Sequence, residues 1–469
     1  MTYIRTEPAS AEWLPAEALQ GHEFAFKSGR ILLGETKDGT LIGLDDPRHV
    51  VTVAGSRAGK TTTSLMSNLR TWTGSVLAID PKGELATNTA QYRADLGQDV
   101  RIFDPFNVVK GDARKWRCGF NPLADIVTAD NDNIVDDAAI IADALVPTTN
   151  DDKSDHWSLS AKNLLRGLIL FLVQSERDGG PPANLENLRK LVSLPYEVKD
   201  HSSERTLEDA LETMSQMDHL DGAIAAVGGS VLGKPGNERG SIISTAVEHT
   251  AFLDSPPLKT HVTKDIGLDS LRRLKTHPLT VYLVLPASRM ASHYRWLRVI
   301  ITQAMAALEA GQLRHRAPPV LFLLEEFPTL GYMRHIEAAA GLMAGYGVKL
   351  WTVMQDLSQL KSLYPRSWET FLGNAGILEA FGNVDTTTTE YLSNRMGKTL
   401  TRIEQSSTRG LRGQQSGDTD QTESIRYEPL QFPHEISMNF RRATNRKLII
   451  SADHDPFSVW RVDWQDSRL

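Results

Sequence analysis

Apolar and polar positions change their period three times along the chain. In 24-FAFKSGRILLGETKDGTLIGL-44 short alternating runs are separated by Gly turns, which predicts small strands. The runs 50-VVTVA-54, 75-SVLAID-80 and 99-DVRIFD-104 follow, with helical patterning between them, an order that predicts a parallel sheet. From about Asn131 to Val262 the pattern turns helical, as in 134-IVDDAAIIADAL-145, 157-WSLSAKNLLRGLILFLVQSE-176, 206-TLEDALETMSQM-217 and 241-SIISTAVEHTAFL-253. Strands return at 279-LTVYLVL-285, 319-PVLFLLEE-326 and 348-VKLWTVMQ-355. The last two are nearly continuous apolar runs, as strands buried on both faces require. The polar stretch 401-TRIEQSSTRGLRGQQSGDTDQTES-424 reads as a mobile loop or an extended edge segment, and 447-KLIISADHDPFSVWRVDW-464 returns to strand patterning.

This texture predicts an α/β fold with a mostly parallel central sheet and an inserted all-α domain. The expected ranges are a β-rich segment over 1–45, a nucleotide-binding domain over 46–130 and 263–469 with a flexible segment at about 401–425, and the helical insert over 131–262. A chain of 469 residues has room for roughly two to four domains. Cys118 is the sole cysteine, so no intramolecular disulfide can form. The start, 1-MTYIRTEPASAEWLPAE-17, lacks the apolar core of a signal peptide, and the run 167-GLILFLV-173 falls far short of the ~20 residues that span a bilayer. The expectation is a cytoplasmic protein without an intrinsic membrane span, peripheral at the inner membrane through partners. Net charge is −7. That argues against a broad nucleic-acid-binding surface while leaving room for a local basic channel.

The most informative stretch is 54-AGSRAGKTT-62, between a strand and a segment free of Gly and Pro. Small residues let backbone N–H groups curl around phosphate oxygens, a Lys reaches the β/γ-phosphates, and the next hydroxyl binds Mg²⁺. Here Ala54 stands where the strict pattern has Gly; Gly55, Ser56, Arg57 and Ala58 fill the loop; Gly59, Lys60, Thr61 and Thr62 close it. The flanking strand and helix supply the context that a chance Gly-Lys-Thr turn lacks. The expected ligands are ATP and Mg²⁺.

A phosphate-transferring site also needs a carboxylate for the metal and a group that activates water. In 320-VLFLLEEFPTLG-331 two acids end an apolar strand, where unpaired charge would be costly to bury. Glu325 is expected to hold the metal and Glu326 to activate water. Gln355, at the end of the next strand, reads equally as a γ-phosphate sensor or as an ordinary helix-start residue. Asp80, Lys82 and Glu84 read equally as a ligand edge or as a polar turn with a helix cap. His249 reads as a structural histidine, no zinc site is expected, and Trp157, Trp296, Trp351 and Trp368 read as core or interface residues. The basic residues of 272-RRLK-275, with Arg289, Arg295 and Arg298, read as a solvated face, with a channel lining the minority reading.

The stretches 54-AGSRAGKTT-62, 76-VLAIDPKGEL-85, 120-FNPL-123, 321-LFLLEEFPTLG-331, 345-GYGVKL-350, 355-QDLSQL-360, 373-GNAG-376 and 426-RYEPLQFPHEI-436, in this order, resemble the type IV secretion coupling proteins, the TraG/TraD-type conjugative DNA-transfer ATPases. The resemblance covers roughly Gly21 to Trp464. It implies a RecA-like motor domain with an all-helical insert, and a homo-hexamer when active that is a monomer in isolation. It implies hydrolysis of ATP to deliver DNA (expected single-stranded), relaxase–DNA complexes or protein substrates to a type IV secretion machinery. By position it gives Lys60 and Thr61 to nucleotide and Mg²⁺, Glu325 and Glu326 to the acidic-strand roles, and Gln355 to sensing. Three departures stand out. Glu325 replaces the family's usual Asp. The family's usual two N-terminal membrane helices do not precede the motor here, which fits a naturally short form, a trimmed form or one paired with a separate membrane subunit, with the start Met1-Thr2 favouring the first. Met343-Ala344 stand where an Arg is common, so no arginine finger is assigned, with Arg289, Arg334 and Arg395 as candidates. Two other readings compete: a soluble hexameric DNA-pumping ATPase not tied to secretion, and a nucleotide-dependent cargo-recruitment platform with little turnover.

Overall fold

The computed structural model describes residues 10–129, 131–147, 152–196, 206–264, 271–310, 317–408 and 419–469. Its strands, in chain order, are β1 (Ile31–Glu35), β2 (Leu41–Leu44), β3 (His49–Ala54), β4 (Val76–Asp80), β5 (Asp99–Phe103), β6 (Arg117–Cys118), β7 (Leu279–Val284), β8 (Val320–Leu324), β9 (Val348–Met354), β10 (Ala375–Phe381), β11 (Lys398–Thr408), β12 (Thr419–Pro429), β13 (Arg446–Ser451) and β14 (Phe457–Trp460). The chain packs as two units, Met1–Trp72 with Val353–Leu469, and Thr73–Thr352. The sequence-based ranges 46–130 and 263–469 each contribute to both.

In the first unit the strands lie in the order β2-β1-β14-β13-β10-β3. All neighbours are antiparallel except β10 and β3, which run parallel with Glu379 opposite Thr52. Both β3 and β10 are buried along their whole length. Within this apolar setting lies a polar network. Lys447 Nζ donates to Glu379 Oε1 at 2.7 Å and to Ser64 Oγ at 3.1 Å, while Thr52 Oγ1 donates to Glu379 Oε2 at 3.1 Å. Four segments, β3, β10, β13 and the helical turn carrying Ser64, are thereby tied by one fully buried ion pair. β11 and β12 form a separate antiparallel ribbon from Lys398↔Pro429 to Thr408↔Thr419. The polar stretch from which the sequence suggests a loop or edge segment thus pairs through its backbone, and residues 409–418 of the expected flexible segment lie outside the described residues.

In the second unit the order is β9-β8-β4-β7-β5-β6, and every neighbouring pair is parallel. β4, β7 and β8 are buried at every position, which explains their unbroken apolar sequences. Between β6 and β7 the described residues hold helices and turns without strands. The longest helix, Asp152–Arg177, packs closely on its neighbours: a Cβ at Gly167 would lie 2.5 Å from Val227 Cγ1. Thr206 and Asp209 form a reciprocal capping box that starts the helix Leu207–Ser215. The range 131–262 remains the proposed extent of an inserted helical domain. Among the described residues no helix is long and apolar enough to cross a membrane.

Removing one partner of the buried pair leaves the other charge uncompensated. Lys447→Ala is expected to cost about 3–5 kcal/mol in denaturant unfolding, and Lys447→Met combined with Glu379→Leu to recover most of that loss.

Candidate phosphate-binding loop and acidic strand end

The loop after β3 is shaped by two glycines that must approach each other. Gly55 N donates to Phe381 O at 3.1 Å, and Ala58 N donates to Gly55 O at 3.2 Å. A Cβ at Gly55 would lie 2.1 Å from Gly382 O. Gly382 has φ +68° and would carry a Cβ 2.6 Å from that of Ala58. The close approach therefore falls on Gly55, while Ala54 is an ordinary buried strand residue opposite Phe381, which is why Ala is tolerated there. Arg57 (φ 55°) and Gly59 (φ 99°) turn the chain into Lys60, which is 8% exposed. A π-helical turn, Thr61–Leu65, then runs into the helix Met66–Thr71. The Thr62 and Thr63 hydroxyls donate to Gly59 O at 3.3 and 2.9 Å, and Trp464 N donates to Thr62 O at 2.9 Å.

Gln355 belongs to the same unit. Its N–H donates to Gln359 Oε1 at 3.2 Å and its carbonyl accepts from Asn383 Nδ2 at 3.3 Å. Asn383 follows Gly382, so the segment against Gly55 and Ala58 is also tied to Gln355. Asp356 caps the helix Leu357–Leu363 by accepting from Gln359 N. Gly382 was not legible as part of this loop, because nothing local in 382-GN-383 marks what packs on it.

The two acids lie in the second unit. Glu325 follows β8 and is 4% exposed. Glu326 adopts left-handed backbone angles (φ 54°, ψ 42°) and starts the 3₁₀ turn Phe327–Leu330. A non-glycine residue there is strained by about 1–2 kcal/mol, a cost typical of residues held for a purpose. Thr329 answers it, its N–H and Oγ1 donating to Glu326 O at 2.9 and 2.7 Å. Beyond the turn, Arg298 Nη1 donates to Leu330 O at 3.1 Å and to Tyr332 O at 2.6 Å, while its Nε donates to Ala144 O at 3.3 Å. Arg298 therefore corrects the basic-face reading: it is buried, and it ties the acidic loop to the last turn of the helix Ile134–Leu145. Lys275 is likewise buried and donates to Leu308 O. Arg295 Nη2 lies 3.0 Å from His249 Nδ1, which gives that histidine a structural partner. Arg289 lies 5.9 Å from the Phe106 ring centre, and Arg334 and Arg395 are exposed.

β4 and β8 are parallel neighbours with Ile79 opposite Leu324, so Asp80 and Glu325 extend adjacent strand ends. This is where the strand order switches direction, the place open α/β sheets favour for ligands. Asp80 serves the first turn of the helix Glu84–Asp95, whose N-cap is Gly83: its Oδ2 accepts from Ala86 N at 2.8 Å. Lys82 and Glu84 point to solvent. Burial pushes the Asp80 carboxyl up to about 6 from 3.8, against the pull of nearby backbone N–H groups. A group whose folded pKa is raised contributes stability that is present below its unfolded value and lost as pH rises through the folded one. Asp80→Asn keeps the acceptor and does not titrate. Its stability relative to wild type should therefore rise between pH 4 and pH 6 by up to about 3 kcal/mol and level off above. A pH-independent difference in unfolding free energy would show that the carboxyl is not perturbed.

Residues 9–466 match the family described as "Type IV secretory system Conjugative DNA transfer". The conjugal transfer protein TraG of Escherichia coli is 28% identical over 396 residues, covering 81% of this chain and 60% of that protein. VirD4 of Rhizobium radiobacter is 27% identical over 364 residues, 77% of this chain and 49% of that one. The chain thus spans 60% or less of the length of these two relatives. Among solved structures, the unbound bacterial conjugative coupling protein TrwBdeltaN70 aligns with a TM-score of 0.67 at 15% identity, covering 97% of this chain and 93% of that one. TrwB in complex with the ATP analogue ADPNP aligns with a TM-score of 0.67 at 14% identity, covering 99% and 96%. These likenesses show a shared α/β P-loop fold of the RecA-like kind. The chain belongs to the type IV secretory system conjugative DNA-transfer family.

Proposed function

We propose that this chain is an ATP-hydrolysing coupling ATPase that delivers DNA, relaxase-bound, or protein substrates to a type IV secretion or conjugation machinery. The observation that carries the reading is the glycine-shaped loop Ala54–Thr62, with a nearly buried Lys60 at the start of a helix, in a chain of a conjugative DNA-transfer family. TrwB has been solved with ADPNP and with ADP and Mg²⁺, which supports ATP and Mg²⁺ as the cofactors here.

The roles follow from chemistry. Backbone N–H groups of Ser56, Arg57 and Gly59 to Thr62 cradle phosphate oxygens, and the Lys60 ammonium neutralises charge on the β- and γ-phosphates. The Thr61 hydroxyl is a hard oxygen donor of the type Mg²⁺ prefers and would hold it; the Glu325 carboxylate is a donor of the same type, proposed for the metal from its place in the acidic-strand stretch. Bound there, Mg²⁺ supplies charge neutralisation on the transferred phosphoryl group. The Glu326 carboxylate accepts a proton from the attacking water, and the Gln355 amide senses the γ-phosphate. We further propose a cytoplasmic homo-hexamer that acts on single-stranded DNA and reaches the inner membrane through partners.

Lys60→Ala is expected to abolish nucleotide binding. Glu326→Gln should bind a fluorescent ATP analogue as tightly as wild type while phosphate release falls about 100-fold or more. Wild-type turnover in Glu326→Gln would remove that residue from the chemistry, and DNA transfer in cells expressing only Lys60→Ala would remove the motor role.

A further inference from the structure

Arg461 enters the same loop from the far end of the chain. It follows β14 and is 5% exposed. Its Nη1 donates to Ala58 O, its Nη2 donates to Arg442 O at 2.7 Å, and its guanidinium lies 5.1 Å from the Phe381 ring centre. Its backbone is fixed as well: Arg461 N donates to Asn445 O at 2.8 Å, and Asn445 Nδ2 donates back to Arg461 O at 3.1 Å. A Cβ placed on Gly59 would sit 3.2 Å from Arg461 Nη1, so the side chain runs directly behind the loop.

A trans peptide unit points its C=O and its following N–H in opposite directions. By holding the Ala58 carbonyl on one side, Arg461 aims the Gly59 N–H to the other. The same residue brings a buried positive charge behind the loop. Burial and the neighbouring Arg442 both hold its guanidinium below the usual arginine range, and no carboxylate of the described residues offsets them. Arg461 Nε has no partner among the described residues. A cation kept under these conditions gains most when an anion enters in front of it.

We propose that Arg461 is a positioning residue for nucleotide phosphate: it sets the Ala58–Gly59 peptide plane so that the Gly59 N–H faces the anion, and it adds a second positive charge to that of Lys60. It acts through the backbone and does not touch the reacting atoms. The inference rests on the coupling-ATPase reading and deepens it by adding a residue to the phosphate site.

The test compares wild type, Arg461→Lys and Arg461→Gln in steady-state ATP hydrolysis and in direct ADP binding. Arg461→Gln should raise KM for ATP and Kd for ADP about tenfold with kcat within about twofold of wild type. Arg461→Lys keeps the charge and loses the fork, and should fall between the two. Damage to the fold would instead lower kcat, and Arg461→Lys keeps the question answerable if Arg461→Gln does not fold. KM and Kd equal to wild type in Arg461→Lys and Arg461→Gln would overturn this role alone. Failure of wild type itself to bind ATP or ADP would overturn the coupling-ATPase reading and this inference with it.

Discussion

The buried pair between Lys447 and Glu379 fixes the part of the molecule on which the phosphate loop is built. It joins β13 to β10, and through Thr52 and Ser64 it reaches β3 and the turn that follows the loop. Charges fully removed from water are costly unless every partner is in place, so this network tolerates one arrangement. A one-residue slip between β10 and β3 would turn Glu379 to the opposite face and break it. Register then decides everything above it. Phe381 lies opposite Ala54, Gly382 meets Gly55, and the loop can close only as it does.

The second unit solves a different problem, that of presenting acids at the end of an apolar strand. β8 is buried throughout and flanked by parallel strands, so its carboxyl end is the first place where charge can stand. Glu326 is held in a left-handed conformation, braced by Thr329, and Arg298 gathers the carbonyls of Leu330 and Tyr332 with that of Ala144. Displacement of the acidic loop is thereby linked through one side chain to a helix in the helical stretch. Asp80, at the neighbouring strand end, spends its carboxylate on the start of a helix.

Much of this was legible because it is local. Alternation and apolar runs gave the strands, the 3.6-residue period gave the helices, and Gly55 to Thr62 marks its loop in a few residues. What escaped is defined by contacts distant in sequence. Arg461 lies 403 residues from Ala58. Glu379 within 375-AGILEAF-381 and Lys447 before 448-LII-450 were visible as charges inside apolar runs, a pattern that signals a buried pair, but which charge meets which cannot be read from spacing. Arg298 was misread because an arginine on a helix is usually solvated; its partners are backbone carbonyls, which leave no trace in composition. The β11–β12 ribbon was read as a loop or edge because polar residues hide a pairing made by the backbone.

Whether this chain is a nucleotide-driven motor in DNA transfer is decided by steady-state ATP hydrolysis measured over a range of protein concentrations with and without single-stranded DNA. Turnover should rise on adding DNA and climb faster than linearly with protein concentration. Tight ATP binding without turnover under any of these conditions would contradict it and leave a nucleotide-dependent recruitment platform in its place.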